Sequence, residues 1–422
     1  MENITISHAY EIVKKLYDEE LNRDKRLVKT SNDEPTPIDC VEEMVNKIPE
    51  EFWMRNNLKI LDPCCGCGNF PFVIYYKLIK YHSREKILKE ILYFNDLNLD
   101  RIEVLKKIFN HEKLNIYTQN FLEFATDIKF DLIVANPPYA KLDANGKRTA
   151  KNHNLIGLFI NKSLEILNEK GLLLYITPDN WMSYADRNTL IIRLTKLQIV
   201  HINIHTAKKY FPKVGSSFVW YLIENTPAYK DITVEGKWNG EIYNSSVESE
   251  ERRYIPLYYN KMIQSILRKT LDNKELKKFE VLTTSYLHKY TKRQFITKEK
   301  DDEHIYRLIH TPKQVVWSSK KHKYQDGWKV FISTTSYYGT FVDNDCGMTQ
   351  SIAFIRCKDQ EEALKLNKVL THPLYKFVND ICRYGNFNNI RILQSFPYCD
   401  DYDKVYKRFK ITKKEQKFIE GK

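Results

Sequence analysis

The 422-residue sequence lacks any long hydrophobic run. Because a helix needs about 20 consecutive apolar residues to cross a bilayer, we expect no membrane span. The amino terminus also lacks a basic segment followed by an apolar stretch, so no secretory signal is expected. These two absences predict a cytoplasmic protein, in which the eight cysteines are reduced thiols.

Three nucleotide and metal motifs are also missing. Cys64, Cys65 and Cys67 crowd one turn, but the paired spacing typical of zinc sites is absent, so we predict no metal site. The same turn contains Gly66 and Gly68 without the third glycine of a dinucleotide fingerprint, which argues against NAD. No Gly-Lys-Ser/Thr phosphate cradle follows, which argues against a nucleoside triphosphatase.

What the chain does contain is a short apolar strand, residues 58–62, that runs into this glycine turn. Gly66 and Gly68 allow the backbone to approach a ligand closely or to adopt positive φ. An apolar, aromatic helix follows, which is typical of an open α/β sheet that binds its ligand beyond the carboxyl ends of the strands. A second predicted strand, residues 91–96, ends at Asp96, which either accepts hydrogen bonds from ribose hydroxyls or caps a turn.

The most informative motif is Asn136-Pro137-Pro138-Tyr139, directly after the apolar run 130–135. The prolines restrict the backbone and leave only carbonyl acceptors. Together with the Asn136 amide, these acceptors are suited to hold a planar amino group, and the Tyr139 ring is suited to lie against a flat heterocycle. The alternative is an ordinary proline-rich turn at a strand end.

The order of these motifs resembles a known family. Asp62-Pro-x-Cys-Gly-x-Gly-x-Phe70, then Asn136-Pro-Pro-Tyr139, then a long carboxyl-terminal segment is similar to the γ arrangement of N6-adenine DNA methyltransferases, the TaqI-like type II modification enzymes. The motifs span roughly residues 30–225. The resemblance implies S-adenosylmethionine as cofactor, and an Asn at the first position of the second motif favours adenine over cytosine.

The resemblance also assigns roles to residues by their position in the motifs. The implied cofactor-binding residues are Thr36, Pro37, Asp62, Cys64, Gly66, Gly68, Asp96, Asn120, Phe121 and Asn136. The implied catalytic residues are Asn136, Pro137, Pro138, Tyr139 and Phe211, the last as an aromatic that helps hold the target adenine. Tyr210 and Phe218 compete with Phe211 for that role. Asn120 stands where the family usually has Asp, although its carbonyl oxygen can still accept from the adenine amine of the cofactor.

For the fold, we expect a seven-stranded, mostly parallel Rossmann-like methyltransferase sheet in residues 1–240, with a helical extension over 1–30. A carboxyl-terminal α+β target-recognition domain with a basic tail is expected over 250–422. The polar, turn-rich stretch 226–255 is predicted to form the boundary. Within the first domain, further strands are expected at 114–121 and 171–178.

The charge is distributed unevenly along the chain. The net charge is +13, and residues 261–330 alone contain 17 Lys and Arg against 8 Asp and Glu. A basic carboxyl-terminal half suits a domain that binds a phosphate backbone, although charge runs are also common on ordinary solvated surfaces. Three clusters that mix aromatic side chains with basic or amide side chains, 286–293, 317–328 and 383–391, are suited as a group to reach base edges, and the alternative for each single residue is ordinary surface. The basic loop 141–151 is interpreted as a DNA-contacting lid.

These features predict direct methyl transfer to a flipped-out adenine of double-stranded DNA, without metal or covalent intermediate. The chain is expected to work as a monomer or weak dimer. A separate restriction nuclease remains an open partner, since too few residues precede Thr36 to form a fused nuclease domain. The alternatives are an RNA adenine or guanine amino-methyltransferase, a protein glutamine methyltransferase, and a non-catalytic binding module on a methyltransferase core.

Overall fold

The computed structural model describes residues 4–28, 34–139, 155–186, 189–212, 217–335 and 337–421. The chain forms two compact units. Unit 1 comprises Met1–Trp181 and Thr189–Arg252, and unit 2 comprises Met182–Asn188 and Arg253–Lys422.

Unit 1 is built on one sheet flanked by helices. Its strands are β1 (Ile60–Asp62), β2 (Leu92–Asn95), β3 (Asn115–Tyr117), β4 (Phe130–Ala135), β5 (Leu167–Pro178), β6 (Leu197–Ile204), β7 (Phe218–Pro227), β8 (Ile232–Trp238) and β9 (Glu241–Val247). Its helices are α1 (Tyr10–Glu19), α2 (Ile38–Val45), α3 (Glu50–Trp53), α4 (Asn69–Leu78), α5 (Arg84–Lys86), α6 (Leu99–Phe109), α7 (Leu155–Ile166) and α8 (Thr189–Lys196).

The strands of this sheet lie in the order β3-β2-β1-β4-β5-β7-β6-β8-β9. The five strands from β3 to β5 pair in parallel, whereas β7 pairs antiparallel with both β5 and β6. The expected α/β class is confirmed, but the expected number of seven strands was too low, since the sheet of the described residues has nine. The two additional strands, β8 and β9, form an edge hairpin.

The strand order reverses direction between β1 and β4, and this reversal positions the site. In an open parallel sheet, the loops that leave two strands at such a switch point diverge and open a crevice at the carboxyl ends. The glycine turn follows β1 and the Asn136 motif follows β4. β4 is almost fully buried, as expected for a central parallel strand with both faces covered.

One local prediction about a strand was wrong in its extent. The strand expected at 114–121 ends at Tyr117, because Asn120 accepts a hydrogen bond from Leu122 N and starts a short 3-10 turn. The stretch 226–255, expected to form the domain boundary, contains β8 and β9, whose alternating buried residues Ile232 and Val234 pack on the core, and the two units divide near its end, after Arg252. Polar residues on the exposed face of this edge hairpin gave it the composition of a loop.

The described residues of unit 2 form two smaller sheets and six α-helices. Its strands are β10 (Ile296–Thr297), β11 (Tyr306–Thr311), β12 (Gln314–Ser318), β13 (Trp328–Ser333), β14 (Thr340–Asn344), β15 (Gly347–Met348) and β16 (Ile352–Arg356). The sheet orders are β10-β12-β11-β15 and β14-β13-β16. The helices are α9 (Lys261–Lys269), α10 (Gln360–Leu370), α11 (Pro373–Asp380), α12 (Ile390–Gln394), α13 (Val405–Arg408) and α14 (Lys413–Ile419).

The described residues contain neither a candidate membrane helix nor a candidate metal cluster. None of their helices is long and apolar enough to cross a membrane. No three His, Cys, Asp or Glu side chains come together there in an arrangement that could hold a metal ion.

Candidate active site

A cavity of about 690 Å³ opens in unit 1, bounded by the turns that follow β1, β2 and β4. It is large enough for a nucleoside-sized ligand. Eight of the predicted cofactor-binding residues line it: Thr36, Asp62, Cys64, Gly66, Asp96, Asn120, Phe121 and Asn136. Pro138 also lines it, whereas Pro37, Gly68, Pro137, Tyr139 and Phe211 are not among its described lining residues.

The turn after β1 takes its shape from two left-handed glycines. Gly66 has φ +55° and Gly68 has φ +96°. Hydrogen bonds hold the turn closed: Cys65 N donates to Asn95 O at 2.9 Å and Gly68 N to Cys65 O at 2.8 Å. At Gly66 the cavity therefore meets backbone without a side chain, which allows a ligand to approach closely.

Gly68 has a packing role as well. A Cβ atom at this position would lie 3.0 Å from the Phe109 ring and 3.3 Å from both Leu105 and the Tyr17 hydroxyl. The glycine thus brings α1 and α6 into contact with the turn, and this structural role explains why Gly68 does not line the cavity.

We expect Gly68→Ala to lower the free energy of unfolding by ~2 kcal/mol, from left-handed strain plus this crowding. Chemical denaturation would measure the change. Gly240→Ala is the matched control, because Gly240 has a similar φ of +89° but open space around it. Equal losses in the two variants would contradict a packing role for Gly68.

Asp96 joins two turns at the floor of the cavity. Its Oδ2 accepts from Gly66 N and its Oδ1 accepts from Asn98 N, both at 2.8 Å. Asn95, just before it, donates to the carbonyls of Pro63 and Gln119. Since each carboxylate oxygen has two acceptor positions, Asp96 can hold the turns together and still accept from ligand hydroxyls.

Asp62 and Cys64 are two titratable residues in the wall of the cavity. Asp62 is 3% exposed, and burial raises its pKa well above the usual range of a carboxyl group. Burial also raises the pKa of the Cys64 thiol, which keeps it protonated at neutral pH. The Cys64 Sγ donates to Asn136 O at 3.6 Å, so it links the β1 turn to the β4 turn.

Asn120 and Phe121, the residues predicted to lie near the adenine of the cofactor, make local contacts that the sequence did not indicate. The Asn120 carbonyl oxygen accepts from Leu122 N at 3.2 Å, and its amide donates to Glu123. Asn120 therefore caps a local turn, with one acceptor position of its oxygen left over. Phe121 is 2% exposed and packs against Phe159 at a centroid distance of 5.3 Å.

The segment around Thr36 is attached to both motifs. Asn69 Nδ2 donates to Thr36 O at 2.8 Å, and Asn136 Nδ2 donates to Glu34 O at 3.0 Å. The Thr36 Oγ1 is buried, and no described residue provides it with a hydrogen-bond partner. A buried, unsatisfied hydroxyl at a cavity wall fits a polar ligand group, which supports the predicted role of Thr36.

The sequence did not identify the contribution of the amino-terminal segment to this cavity. Leu21, Asn22, Leu27 and Val28 all line it. Arg101 from α6 donates to the Leu27 carbonyl at 2.6 and 2.8 Å and thereby holds this segment in place. The amphipathic pattern of α1, which buries Val13, Leu16 and Tyr17, was the only local signal that this segment packs on the core.

The Asn136 motif is preorganised by its own side chains. The Tyr139 hydroxyl donates a short hydrogen bond to Asn136 Oδ1, and the Asn136 amide nitrogen is bound to Glu34 O. These two contacts orient the amide. Burial raises the pKa of Tyr139, so its hydroxyl remains a donor in neutral and mildly alkaline solution.

Phe211 lies in the hydrophobic core. It is 0% exposed and stacks on Phe218 with centroids 4.5 Å apart. Phe218 in turn lies 5.8 Å from the Tyr139 ring. In this structure Phe211 supports the aromatic row behind Tyr139 rather than presenting a free face. The predicted lid 141–151 lies outside the described residues.

Unit 1 is thus an α/β domain with a cavity beyond the carboxyl ends of its parallel strands. The family model of the Eco57I restriction-modification methylase matches residues 42–211. The chain is also similar to the type II methyltransferase M.VspI of Vibrio sp. (strain 343), with 25% identity over 36% of this chain and 38% of that protein. The modification methylase CviBIII of Paramecium bursaria Chlorella virus NC1A is 28% identical over 44% of this chain and 48% of that protein.

A third relative comes from a different class of methyltransferase. The release factor glutamine methyltransferase of Clostridium botulinum is 30% identical over 33% of this chain and 53% of that protein. The chain thus spans about half or less of the length of each of these curated relatives.

Two solved structures share the fold over most of the chain. The type IIL restriction-modification enzyme MmeI, solved in complex with DNA, has a TM-score of 0.54 at 10% identity, over 92% of this chain and 66% of that chain. The DrdV–DNA complex also has a TM-score of 0.54, at 11% identity, over 95% of this chain and 58% of that chain. The resemblance to type II modification methyltransferases predicted from the sequence is confirmed by these matches.

Proposed function

We propose that this chain is a site-specific DNA adenine N6-methyltransferase that uses S-adenosylmethionine. The observation that carries the proposal is the cavity wall that Asn136 and Pro138 share with Asp62, Gly66 and Asp96. This wall brings a motif suited to an exocyclic amine beside residues suited to a nucleoside cofactor. Bound S-adenosylmethionine would supply an electrophilic methyl group.

The lining of the cavity supports the following roles in holding the cofactor. Asp96 accepts from the ribose hydroxyls, and the unsatisfied Thr36 Oγ1 binds the methionine part. Phe121 borders the adenine ring, and the spare acceptor position of Asn120 takes its amine. Gly66 leaves room for the ligand against the backbone, while Pro37 and Gly68 support the segments that carry Thr36 and Gly66.

The target base would be held by the Asn136 motif. Asn136 Oδ1 and the Pro137 carbonyl accept hydrogen bonds from the two amine hydrogens. These contacts draw the nitrogen toward tetrahedral geometry, which takes its lone pair out of conjugation with the ring and frees it for in-line attack. The Tyr139 hydroxyl holds the Asn136 oxygen in position, so little reorganisation is needed during the reaction. Pro138 keeps the turn rigid, and the Tyr139 ring lies against the base, supported by Phe218 and Phe211.

DNA is the substrate that the charge distribution favours. Residues 253–422 contain 33 Lys and Arg against 19 Asp and Glu, a net charge of +14 for unit 2 without its short first segment. Residues 1–252 then carry a net charge of −1. A basic domain attached to a nearly neutral catalytic domain suits a phosphate backbone, and the adenine must leave the duplex for its amine to be reached. We propose a cytoplasmic location for this activity, with a separate cognate restriction nuclease as a candidate partner.

The proposal is tested by transfer of labelled methyl from S-adenosylmethionine to duplex DNA of mixed sequence. Total RNA and a purified release factor serve as parallel substrates, and digested products are identified by mass. We expect N6-methyladenine from DNA alone. Label only in RNA would favour the RNA alternative, and label only in a glutamine side chain would favour the activity named for the Clostridium relative; either result would refute the proposal.

A further inference from the structure

A second depression, of about 580 Å³, lies in unit 2 where four segments of chain meet. The segments are 283–285, 334–335, 350–351 and 387–390. Hydroxyl and amide side chains dominate the lining, among them Thr283, Ser285 and Gln350. Thr283 and Ser285 are exposed, so these hydroxyls are available to an incoming ligand. Groups of this kind hydrogen-bond the edges of nucleobases.

Hydrogen bonds between the segments make the floor of this depression rigid. Asn388 N donates to Thr334 O at 3.0 Å, and Asn388 Nδ2 donates to Ser333 O at 2.7 Å. Thr334 Oγ1 donates to Ser351 O at 2.7 Å. Gln350 accepts from Lys289 N at 3.0 Å, which ties the 283–289 segment to the same floor. A floor fixed in advance can discriminate between ligands that differ by a single group.

The cluster 383–391 divides into structural residues and an exposed tip, which carries the side chains of Asn386 and Phe387. The Tyr384 hydroxyl donates to Ile255 O, and Asn389 Nδ2 donates to Tyr184 O at 2.8 Å. Arg391 pairs with Asp186, and Asn388 is buried in the floor. These residues hold unit 2 together, whereas Phe387 lines the depression with 64% of its surface exposed.

Phe387 is not the only exposed aromatic on this part of unit 2. Tyr337, three residues after Thr334, is 79% exposed, and the Arg383 guanidinium lies 5.1 Å from the centre of its ring. A single exposed apolar side chain is normal and needs no explanation. Here the exposed aromatic rings occur together with an arginine and a hydroxyl-lined depression, and residues 253–422 carry a net charge of +14. This combination suits a nucleic acid better than an apolar partner.

We propose that this depression is a base-reading site for duplex DNA. Phe387 contacts the methyl group of a thymine in the major groove, and the hydroxyls of Thr283 and Ser285 hydrogen-bond base edges beside it. This inference rests on the proposed function and goes beyond it, since it assigns sequence specificity to named side chains.

The first test compares the methylated sequence motif of the wild type with that of Phe387→Ala and of Ser285→Ala, all as full-length chains. Each protein methylates mixed-sequence duplex DNA, and the modified positions are mapped by sequencing. We expect Phe387→Ala to lower discrimination at one position by about tenfold, with cofactor affinity and thermal unfolding unchanged. Leu364→Ala, an exposed residue on α10 that does not line the depression, is the matched control and should retain the wild-type motif.

The second test removes only the methyl group that Phe387 is proposed to contact. Each thymine of the mapped site is replaced in turn by uracil. The wild type should lose about fourfold in kcat/KM at one thymine, the value of one buried methyl group. Phe387→Ala should be insensitive to that replacement, whereas Phe387→Leu should keep part of the sensitivity.

Two results would overturn the base-reading assignment while leaving the proposed function intact. One is DNA methylation by Phe387→Ala with an unchanged motif and unchanged sensitivity to uracil. The other is a uniform loss at all sites, which would indicate phosphate contact or a structural role. A wild type that binds the cofactor but methylates no duplex DNA would refute the proposed function and this inference together, as would methylation confined to single-stranded RNA.

Discussion

Replacing Asn136 with alanine is expected to lower kcat for methyl transfer by about 100-fold or more, the usual effect of removing one preorganised catalytic hydrogen bond. The reason is that Asn136 Oδ1 is the side-chain acceptor assigned to the amine and is already oriented by the Tyr139 hydroxyl. Single-turnover transfer to a duplex with the mapped site would measure the effect, and calorimetry would follow cofactor binding. Turnover near the wild-type rate would refute the role assigned to Asn136.

The Asn136 amide also donates to Glu34 O, so Asn136→Ala could loosen the cavity wall as well as remove the catalytic acceptor. The matched control must separate these two effects. Asn69→Ala removes the other bond to this segment, from Asn69 Nδ2 to Thr36 O. We expect Asn69→Ala to weaken cofactor binding and leave kcat at saturating cofactor nearly unchanged. Asn136→Ala should show the opposite pattern. Tyr139→Phe, which removes only the hydroxyl, should fall between wild type and Asn136→Ala in kcat.

Asp96→Ala is expected to raise the Kd for S-adenosylmethionine by about 100-fold, since hydrogen bonds to a charged acceptor contribute about 1.5–3 kcal/mol each. The loss combines the ribose contacts with the bond from Gly66 N that shapes the turn. Isothermal calorimetry measures the Kd directly. Asp96→Asn keeps the shape and one acceptor oxygen, so it should give an intermediate Kd.

An exposed carboxylate provides the control for this second prediction. Asp127→Ala removes the same charge from a residue that does not line the cavity, and its Kd should match that of the wild type. Asp96→Ala leaves the Gly66 N–H without its acceptor. Thermal unfolding of this variant shows whether that loss loosens the turn. An unchanged Kd for a folded Asp96→Ala protein would show that Asp96 is only a turn-stabilising residue.

The parts of the fold that could be predicted are those set by neighbours in sequence. The buried run of β4 and the glycine turn after β1 are local patterns, and both lie where the sequence indicated. Errors arose where the local pattern was ambiguous. Asn120 looked like a strand-end residue because its capping bond to Leu122 cannot be recognised from composition. The polar, turn-rich composition of 226–255 did not indicate the β8–β9 hairpin, because only one face of the hairpin is buried.

The candidate site was predictable to a similar extent. Eight predicted cofactor-binding residues converge on one cavity, because the strand ends of a parallel sheet meet at one edge. The position of Phe211 was not predictable. An aromatic before a strand serves equally well as a core residue or as a ligand contact, and the stacking on Phe218 is a tertiary contact. The individual roles of these residues remain predictions that the variants above test.

The sequence by itself determined the class of domain, the order of the two motifs and the separation of charge between the two halves of the chain. Each of these properties follows from residues that are adjacent in sequence or from the amino-acid composition. Tertiary structure alone decided that the amino-terminal segment lines the cavity and that Asn136 is held by Glu34, 102 residues earlier in the chain. It also decided which side chains of the cluster 383–391 face solvent. Such contacts depend on the whole core closing around them, so no local pattern encodes them.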